Sequence, residues 1–285
     1  MKIGIIGAGK VGTAIGHVLE QKGMTITAIS DMSEAGIKVA KTYLGEDVLF
    51  TNDNIAVVES SDIIAITTQD RIIAEVVDEI AQRPERLDGK IFFHTCGALP
   101  ATILSPLDSK GAHIGALHPL QTFPDIASAI KVLPETYIFI EGNEHSIEIL
   151  NKIGVSLGMA VIRIEGKHKV LYHLAAVFLC NLLCALLYAG EEIIDKTGVG
   201  LPPFFPIIKS TLKNVEKNGA LLSLTGPVIR GDVDTVISHL GALKDLDLHR
   251  EVYKALSLVA LEMTQARGEL NQEVREKLRD ILTED

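Results

Sequence analysis

Met1-Lys2-Ile3-Gly4-Ile5-Ile6-Gly7-Ala8-Gly9-Lys10-Val11-Gly12 decides how the rest of the chain folds. Residues 1–6 form the short apolar run of a buried strand, and 7–12 spell G-x-G-x-x-G into a helix that continues through His17-Val18-Leu19. The spacing has a physical reason. Gly7 lets the chain turn tightly out of the strand, Gly9 keeps a side chain away from an incoming pyrophosphate, and Gly12 lets the helix lie close on the sheet. Free N–H groups of Gly7-Ala8-Gly9-Lys10-Val11-Gly12 and the helix dipole then face the phosphates of a dinucleotide. A second strand over 24–29 ends at Ser30-Asp31, where a carboxylate would accept from both hydroxyls of an adenosine ribose. No Arg follows in Asp31-Met32-Ser33-Glu34-Ala35, so a 2′-phosphate would meet repulsion and NAD is favoured over NADP. Ser30, Ser33 and Lys38 are the residues that could serve a phosphate instead, and Asp31 as a plain helix cap is the competing reading.

Outward from that stretch, apolar runs alternate with helical ones. Strands are predicted at 47–50, 62–67, 90–94 and 112–117, with helices at 34–44, 54–58 and 71–82. Strands at 136–141 and 159–164, joined by a helix over 146–157, complete a doubly wound parallel α/β sheet. In such sheets ligands lie past the carboxyl ends of the strands. Those ends carry Thr67-Thr68-Gln69, His94-Thr95-Cys96-Gly97 and His118-Pro119-Leu120-Gln121. At Glu165-Gly166 the pattern changes to helices alone, at 168–197, 202–218, 233–243, 250–267 and 272–282. The reading is a dinucleotide-binding domain over 1–166 and a helical substrate and dimerisation domain over 167–285.

With 47% hydrophobic and 22% charged residues among 285, the chain has the profile of a well-cored globular protein. A formal net charge of −10 argues against nucleic acid and against anionic membrane surfaces as partners. Met1-Lys2 passes straight into a strand without a charged-then-apolar leader, so a cytoplasmic location is expected. Cys96, Cys180 and Cys184 have neither metal nor disulfide spacing, no metal site is expected, and the latter two read as buried inert thiols. Residues 170–190 are almost long enough to cross a bilayer, yet His173 and Asn181 interrupt them and no second span exists. The stretch reads as a buried helix, and its apolar surface calls for a two-fold partner, a homodimer through the helical domain.

On that helix Lys169 and His173 are four residues apart and share a face, with Asn181 about 80° round from His173. Burying the three without partners would cost several kcal/mol, so they line a cavity, a cleft or an interface. The competing reading of Lys169 is a solvated flank beside Lys167 and His168.

A glycine-turn nucleotide domain followed by a long helix opening with basic and amide residues resembles the superfamily of ketopantoate reductases, β-hydroxyacid dehydrogenases and pyrroline-5-carboxylate reductases. In the first two a Lys and an Asn four residues later polarise the carbonyl and hold the substrate; here Lys169 is followed at that spacing by His173. A narrower resemblance rests on His94-Thr95-Cys96-Gly97, 118–123, Tyr172-His173 through Asn181, and Leu224-Thr225-Gly226-Pro227-Val228-Ile229-Arg230-Gly231-Asp232. Together these motifs look like the Rossmann-like proteins with a DUF2520 C-terminal domain. The resemblance implies an NAD(P)-dependent oxidoreductase reducing a small carboxylate-bearing C=O or C=N compound, with a ketopantoate-like keto acid favoured. Two alternatives stay open: a dinucleotide-binding sensor without chemistry, and a prephenate-type dehydrogenase, to which His118-Pro119 after a strand points.

A hydride reaction also needs a proton donor and a cation for any carboxylate. Imidazole titrating near pH 6.5 suits His118 or His173 as the acid, with Lys169 the alternative. Asn181 would hold the carbonyl, Arg230 would clamp a carboxylate in bidentate fashion, and Cys96 and Gln121 would border the substrate. His94 either contacts the cofactor or caps a turn, His118 either reacts or closes a loop, and Arg230 either binds substrate or pairs with Asp232.

Overall fold

Runs of β-branched and small apolar residues can be covered on both faces, and here they assemble into one layer. In the computed structural model, which describes residues 1–284, the order is β1 (Lys2–Ile6), α1 (Lys10–Gln21), β2 (Thr25–Ser30), α2 (Glu34–Ala40), β3 (Leu49–Thr51) and α3 (Asn54–Ser60). There follow β4 (Ile63–Ile66), α4 (Ile73–Ala81), β5 (Ile91–His94), α5 (Ser105–Asp108), β6 (His113–Pro119), α6 (Ile126–Val132), β7 (Tyr137–Gly142), α7 (Glu144–Ser156) and β8 (Ala160–Arg163). The eight strands lie in the order β3-β2-β1-β4-β5-β6-β7-β8, so the winding reverses between β1 and β4. One face of the sheet packs Ile3, Ile5, Phe93 and Leu117 against α1, α6 and α7; the other packs Ile64, Ile66 and Phe92 against α3, α4 and α5.

The sheet departs from the expected all-parallel form at its far edge. β1 to β6 are parallel, but β7 pairs antiparallel to β6 and β8 parallel to β7. The connection explains it. Leu120 N–H, one residue past β6, donates to the Tyr137 carbonyl at 2.9 Å, so the chain loops back beside the end it has just left. β7 enters from the carboxyl end.

The chain divides into two compact units, Met1–Asn181 and Leu182–Asp285. The sheet ends at Arg163, but the division falls 18 residues later, at the end of a π-helical segment. A 3-10 turn (Gly166–His168) leads into α8 (Lys169–Ala176), then five π-helical residues (Val177–Asn181) close the first unit. The second unit holds α9 (Leu182–Asp195), α10 (Phe205–Asn218), α11 (Ala220–Ser223), α12 (Pro227–Arg230), α13 (Val233–Ala242), α14 (Asp247–Arg267) and α15 (Gln272–Thr283). Its core is small: Val228, Val236, Leu261, Leu278 and Leu282. Asp232 and Asn271 cap α13 and α15 by accepting from Thr235 N–H and Val274 N–H.

The expectation that 170–190 is buried is not met within one chain. Gly166–Asp195 is long and apolar enough to cross a membrane, and the apolar window that qualifies it has no buried residue. Leu179 is 73% exposed and Phe178 62%. Cys180 and Cys184, expected to be buried, are exposed too. The seven-helix second unit likewise buries few apolar residues of its own, and α9 contributes none of them.

Candidate active site

The loops after β1 and β4 meet where the winding reverses, and there the glycine turn forms a cradle. Gly7 sits at φ +111°, and a Cβ on it would lie 2.8 Å from the Thr67 and Thr68 backbone. A Cβ on Gly12 would lie 2.3 Å from both the Gly7 carbonyl and Thr67 Oγ1, while Gly9 faces open space. Thr67 Oγ1 donates to the Gly7 carbonyl at 2.7 Å and so ties the two loops together. The cleft above them holds about 620 Å3 and is lined by Gly7, Gly9, Ser30, Asp31, Thr67, Thr68, Gln69 and Arg71 among others. No side chain caps the start of α1, so its N–H groups face the cleft, and the buried Thr68 hydroxyl that lines it has no partner among the described residues. These features fit the pyrophosphate of a dinucleotide.

Several expected cofactor contacts take specific positions. Asp31 points back at the turn: Oδ2 accepts from Ala8 N–H at 2.7 Å and Oδ1 from Ser33 N–H at 2.8 Å. Ser30 is buried and donates to Asn54 Oδ1. Lys10 is exposed at the first position of α1, with Val11 partly buried beside it. Thr95 N–H donates to the Ile66 carbonyl, closing β5 onto β4.

A second constellation sits on the sheet beneath α8. Register aligns His94 of β5 with Ala116 of β6 and Glu141 of β7, so the three side chains share a face, and His118 with Phe139 make the next row. Lys169, Tyr172 and His173, one turn of α8, come down on these rows. Lys169 is only 2% exposed, which overturns the solvated-flank reading; its Nζ donates to the Cys96 carbonyl at 2.9 Å. The Tyr172 ring packs on Phe139 at 4.2 Å between centroids, and its hydroxyl lies 2.7 Å from His118 Nδ1. With the phenol donating there, His118 carries its ring hydrogen on Nε2. A Cβ on Gly97 would lie 2.8 Å from His118 Nε2 and 2.9 Å from His173 Nδ1, so both imidazoles close over that glycine. His173 Nδ1 is buried without a partner among the described residues.

The charges follow from burial. Burial, reinforced by the Lys169 ammonium and His173, pushes His118 down to about 4. The ring is therefore neutral at pH 7, a hydrogen-bond donor rather than the titrating acid expected from an imidazole near 6.5. His94 is fully buried and pushed down to about 3, first by burial and then by Lys169. Its Nδ1 accepts from Cys96 N–H and its Nε2 reaches the Pro100 carbonyl, so it braces the turn of 94–100 with no ring nitrogen left for a cofactor. Burial lowers Lys169 as well, opposed by Glu141, Cys96 and Asp70. Cys96 is buried, its sulfur accepting from Ala98 and Leu99 N–H, and it meets the cluster through its carbonyl.

Two other expected site residues of the first unit, Gln121 and Asn181, stay outside this cluster. Gln121 is exposed and its Oε1 accepts from Thr122 N–H. Asn181 is exposed at the end of the π segment, whose extra residue per turn breaks the constant 100° step that put it on the arc of Lys169 and His173. Arg230 belongs to the second unit, is exposed, and lies 4.0 Å from Asp232. Tyr172 and Glu141 were not expected. Their signals were present: Tyr172 stands three residues after Lys169, and Glu141 is an acid in the apolar strand Tyr137-Ile138-Phe139-Ile140.

Comparison with known proteins bears on this geometry. Residues 1–119 match the model of the Rossmann-like domain, and residues 136–260 match that of DUF2520, a domain of unknown function. No curated protein matches the sequence. Among solved structures, BF3122 from Bacteroides fragilis superposes with a TM-score of 0.73 at 24% identity, over 90% of this chain and 96% of its own. An imine reductase from Pseudomonas sp. gives 0.68 at 16%, over 98% and 99%. A reductive aminase from Aspergillus terreus, solved with NADPH and ethyl levulinate, gives 0.69 at 16%, over 98% of each chain. At these identities the likeness is one of fold. The chain therefore carries a Rossmann-like domain followed by a DUF2520 domain, the pairing its motifs resemble.

Proposed function

We propose that the protein is an NAD(P)-dependent oxidoreductase that reduces a small carboxylate-bearing carbonyl or imine compound. The observation that carries this reading is a buried ammonium and two imidazole nitrogens gathered at strand ends of the sheet that also forms the glycine cradle. The solved structures named above, an imine reductase and an NADPH-bound reductive aminase, support it at the level of reaction class.

When bound, a nicotinamide dinucleotide supplies the hydride. Gly7, Gly9, Gly12, Thr67 and Thr68 would hold its phosphates and Asp31 its ribose. His118 Nε2–H orients the carbonyl oxygen or imine nitrogen by a hydrogen bond, in the tautomer that Tyr172 sets. Lys169 is the proton donor: an ammonium has three N–H groups, and the Cys96 carbonyl is the one acceptor it meets among the described residues. Burial lowers its pKa and makes the proton easier to give, and its charge draws a carboxylate toward the site. The finer cofactor preference is NAD, because the Asp31 carboxylate would lie against a 2′-phosphate. Lys38 and Lys41 line an adjoining cleft with Asp31 and are the residues such a phosphate would use.

The chain has no tryptophan, so NADH and NADPH fluorescence can be titrated without that background. Enhancement and a raised melting temperature with NADH are expected, and neither effect with either cofactor would defeat the reading. In a panel of keto acids and cyclic imines, Lys169→Met and His118→Gln should keep cofactor affinity while lowering turnover about a hundredfold or more. Cofactor binding with no turnover across the panel would point to a sensor.

A further inference from the structure

We infer that Glu141 is a positioning residue for Lys169: its buried carboxylate holds the ammonium in its charged form on the Cys96 carbonyl. The inference rests on the oxidoreductase reading only in giving Lys169 a part in the reaction.

Glu141 is 5% exposed, inside a sheet, where an ionised carboxylate is costly unless something compensates it. Its Oε1 accepts from Ala101 N–H, which ties the loop after β5 to β7. Its Oε2 is buried and has no hydrogen-bond partner among the described residues. The cations beside the neighbouring cleft of about 570 Å3 are engaged elsewhere, Arg163 with Glu144 and Lys167 with Glu165. Lys169 is the remaining candidate. Glu141 and His94 flank Ala116 in one row of the sheet, and the alanine leaves room above the row. Lys169 reaches the Cys96 carbonyl, two residues beyond His94, from the first position of α8. Gly166, in the turn that launches α8, allows close approach: a Cβ there would lie 2.9 Å from Glu141 Oε2.

The groups around Lys169 leave Glu141 as the chief compensating charge. From β5 and the turn after it come His94, neutral, and the Cys96 thiol, which burial pushes up. From β6 comes His118, also neutral at pH 7, and from the loop after β4 the exposed Asp70. Its own helix adds Tyr172, pushed further toward the neutral phenol, and His173. Of the groups that favour the ammonium, Glu141 acts most strongly, ahead of Cys96 and Asp70.

Glu141→Gln is the test, since the amide oxygen can still accept from Ala101 N–H while the charge is lost. In full-length protein labelled with 13C-lysine, the Lys169 Cε resonance is assigned by its absence from Lys169→Arg and titrated with pH. The midpoint in Glu141→Gln should fall by about one pH unit or more. Glu141→Asp, which keeps the charge, should recover most of that drop. An unchanged midpoint in Glu141→Gln, or an equal drop in Glu141→Asp, would overturn the inference. Should Glu141→Gln fail to fold, the reciprocal measurement decides: in Lys169→Met the Glu141 carboxyl 13C shift should report protonation at a higher pH than in the wild type, and no difference would overturn it. Neither titration uses cofactor or substrate, so its outcome is separable from that of the oxidoreductase reading.

Discussion

At the residue scale, the candidate site depends on a missing side chain as much as on those present. Gly97 is where His118 and His173 converge, and a methyl group there would overlap His118 Nε2 and His173 Nδ1. Neither ring can simply swing away, because His118 is tethered to Tyr172 in a sheet row under α8 and His173 is carried by α8 itself. Gly97→Ala should therefore cost about 1–3 kcal/mol of stability and about a hundredfold or more in turnover, with cofactor affinity unchanged because Gly97 is not part of the glycine cradle. Denaturant midpoints and NADH titration of the variant check this; wild-type stability and turnover would mean the imidazoles are free to part. The same position shows what the sequence alone leaves open about the acid. An isolated imidazole titrates near neutrality, but His118 lies under a helix and near an ammonium, and both favour the neutral ring.

At the element scale, docking α8 on β5 to β7 buries two neutral histidines, and that makes stability depend on pH. His94 is held near 3 and His118 near 4, against about 6.5 in the unfolded chain. Below pH 6.5 the unfolded state takes up protons that the folded state refuses, so stability is complete above that pH and is lost as pH falls toward 4. The His118 shift alone corresponds to roughly 3 kcal/mol. Urea denaturation should show a clear fall in midpoint between pH 7 and about 4.5, and His94→Gln should flatten it. An unchanged midpoint would mean that water reaches both rings. The π segment after α8 is a second feature at this scale. It shifts the helical phase after Ala176, so residues before and after it no longer share the faces that a regular helix would give them.

For the whole molecule, apolar surface is the outstanding feature. Exposed large hydrophobic residues crowd 170–193, and Ile207, Leu222 and Val259 add to them from other helices of the second unit. Exposed apolar side chains in this number call for cover. We propose a second copy of the chain, because the exposed residues are spread over several helices and a single membrane span would cover only one. Sedimentation equilibrium at micromolar concentration should return twice the chain mass, and Leu179→Glu with Phe178→Glu should shift it to the monomer. A wild-type monomer, or partition of the protein into liposomes, would contradict this assembly.

What the amino-acid sequence determined by itself is local or periodic. The glycine turn, the alternation of strand and helix, and the change to helices near Gly166 depend on spacing along the chain, and all are found in the structure. Lys169 and His173 were legible as a pair because four residues on a helix fix a shared face. Tertiary structure decided the rest. The reversal of β7 follows from its pairing beside Pro119, the partnership of Glu141 with the row of His94 from strand register, and the neutrality of His118 from what lies over it. Each of these depends on residues distant in sequence, and no local pattern encodes which surfaces meet.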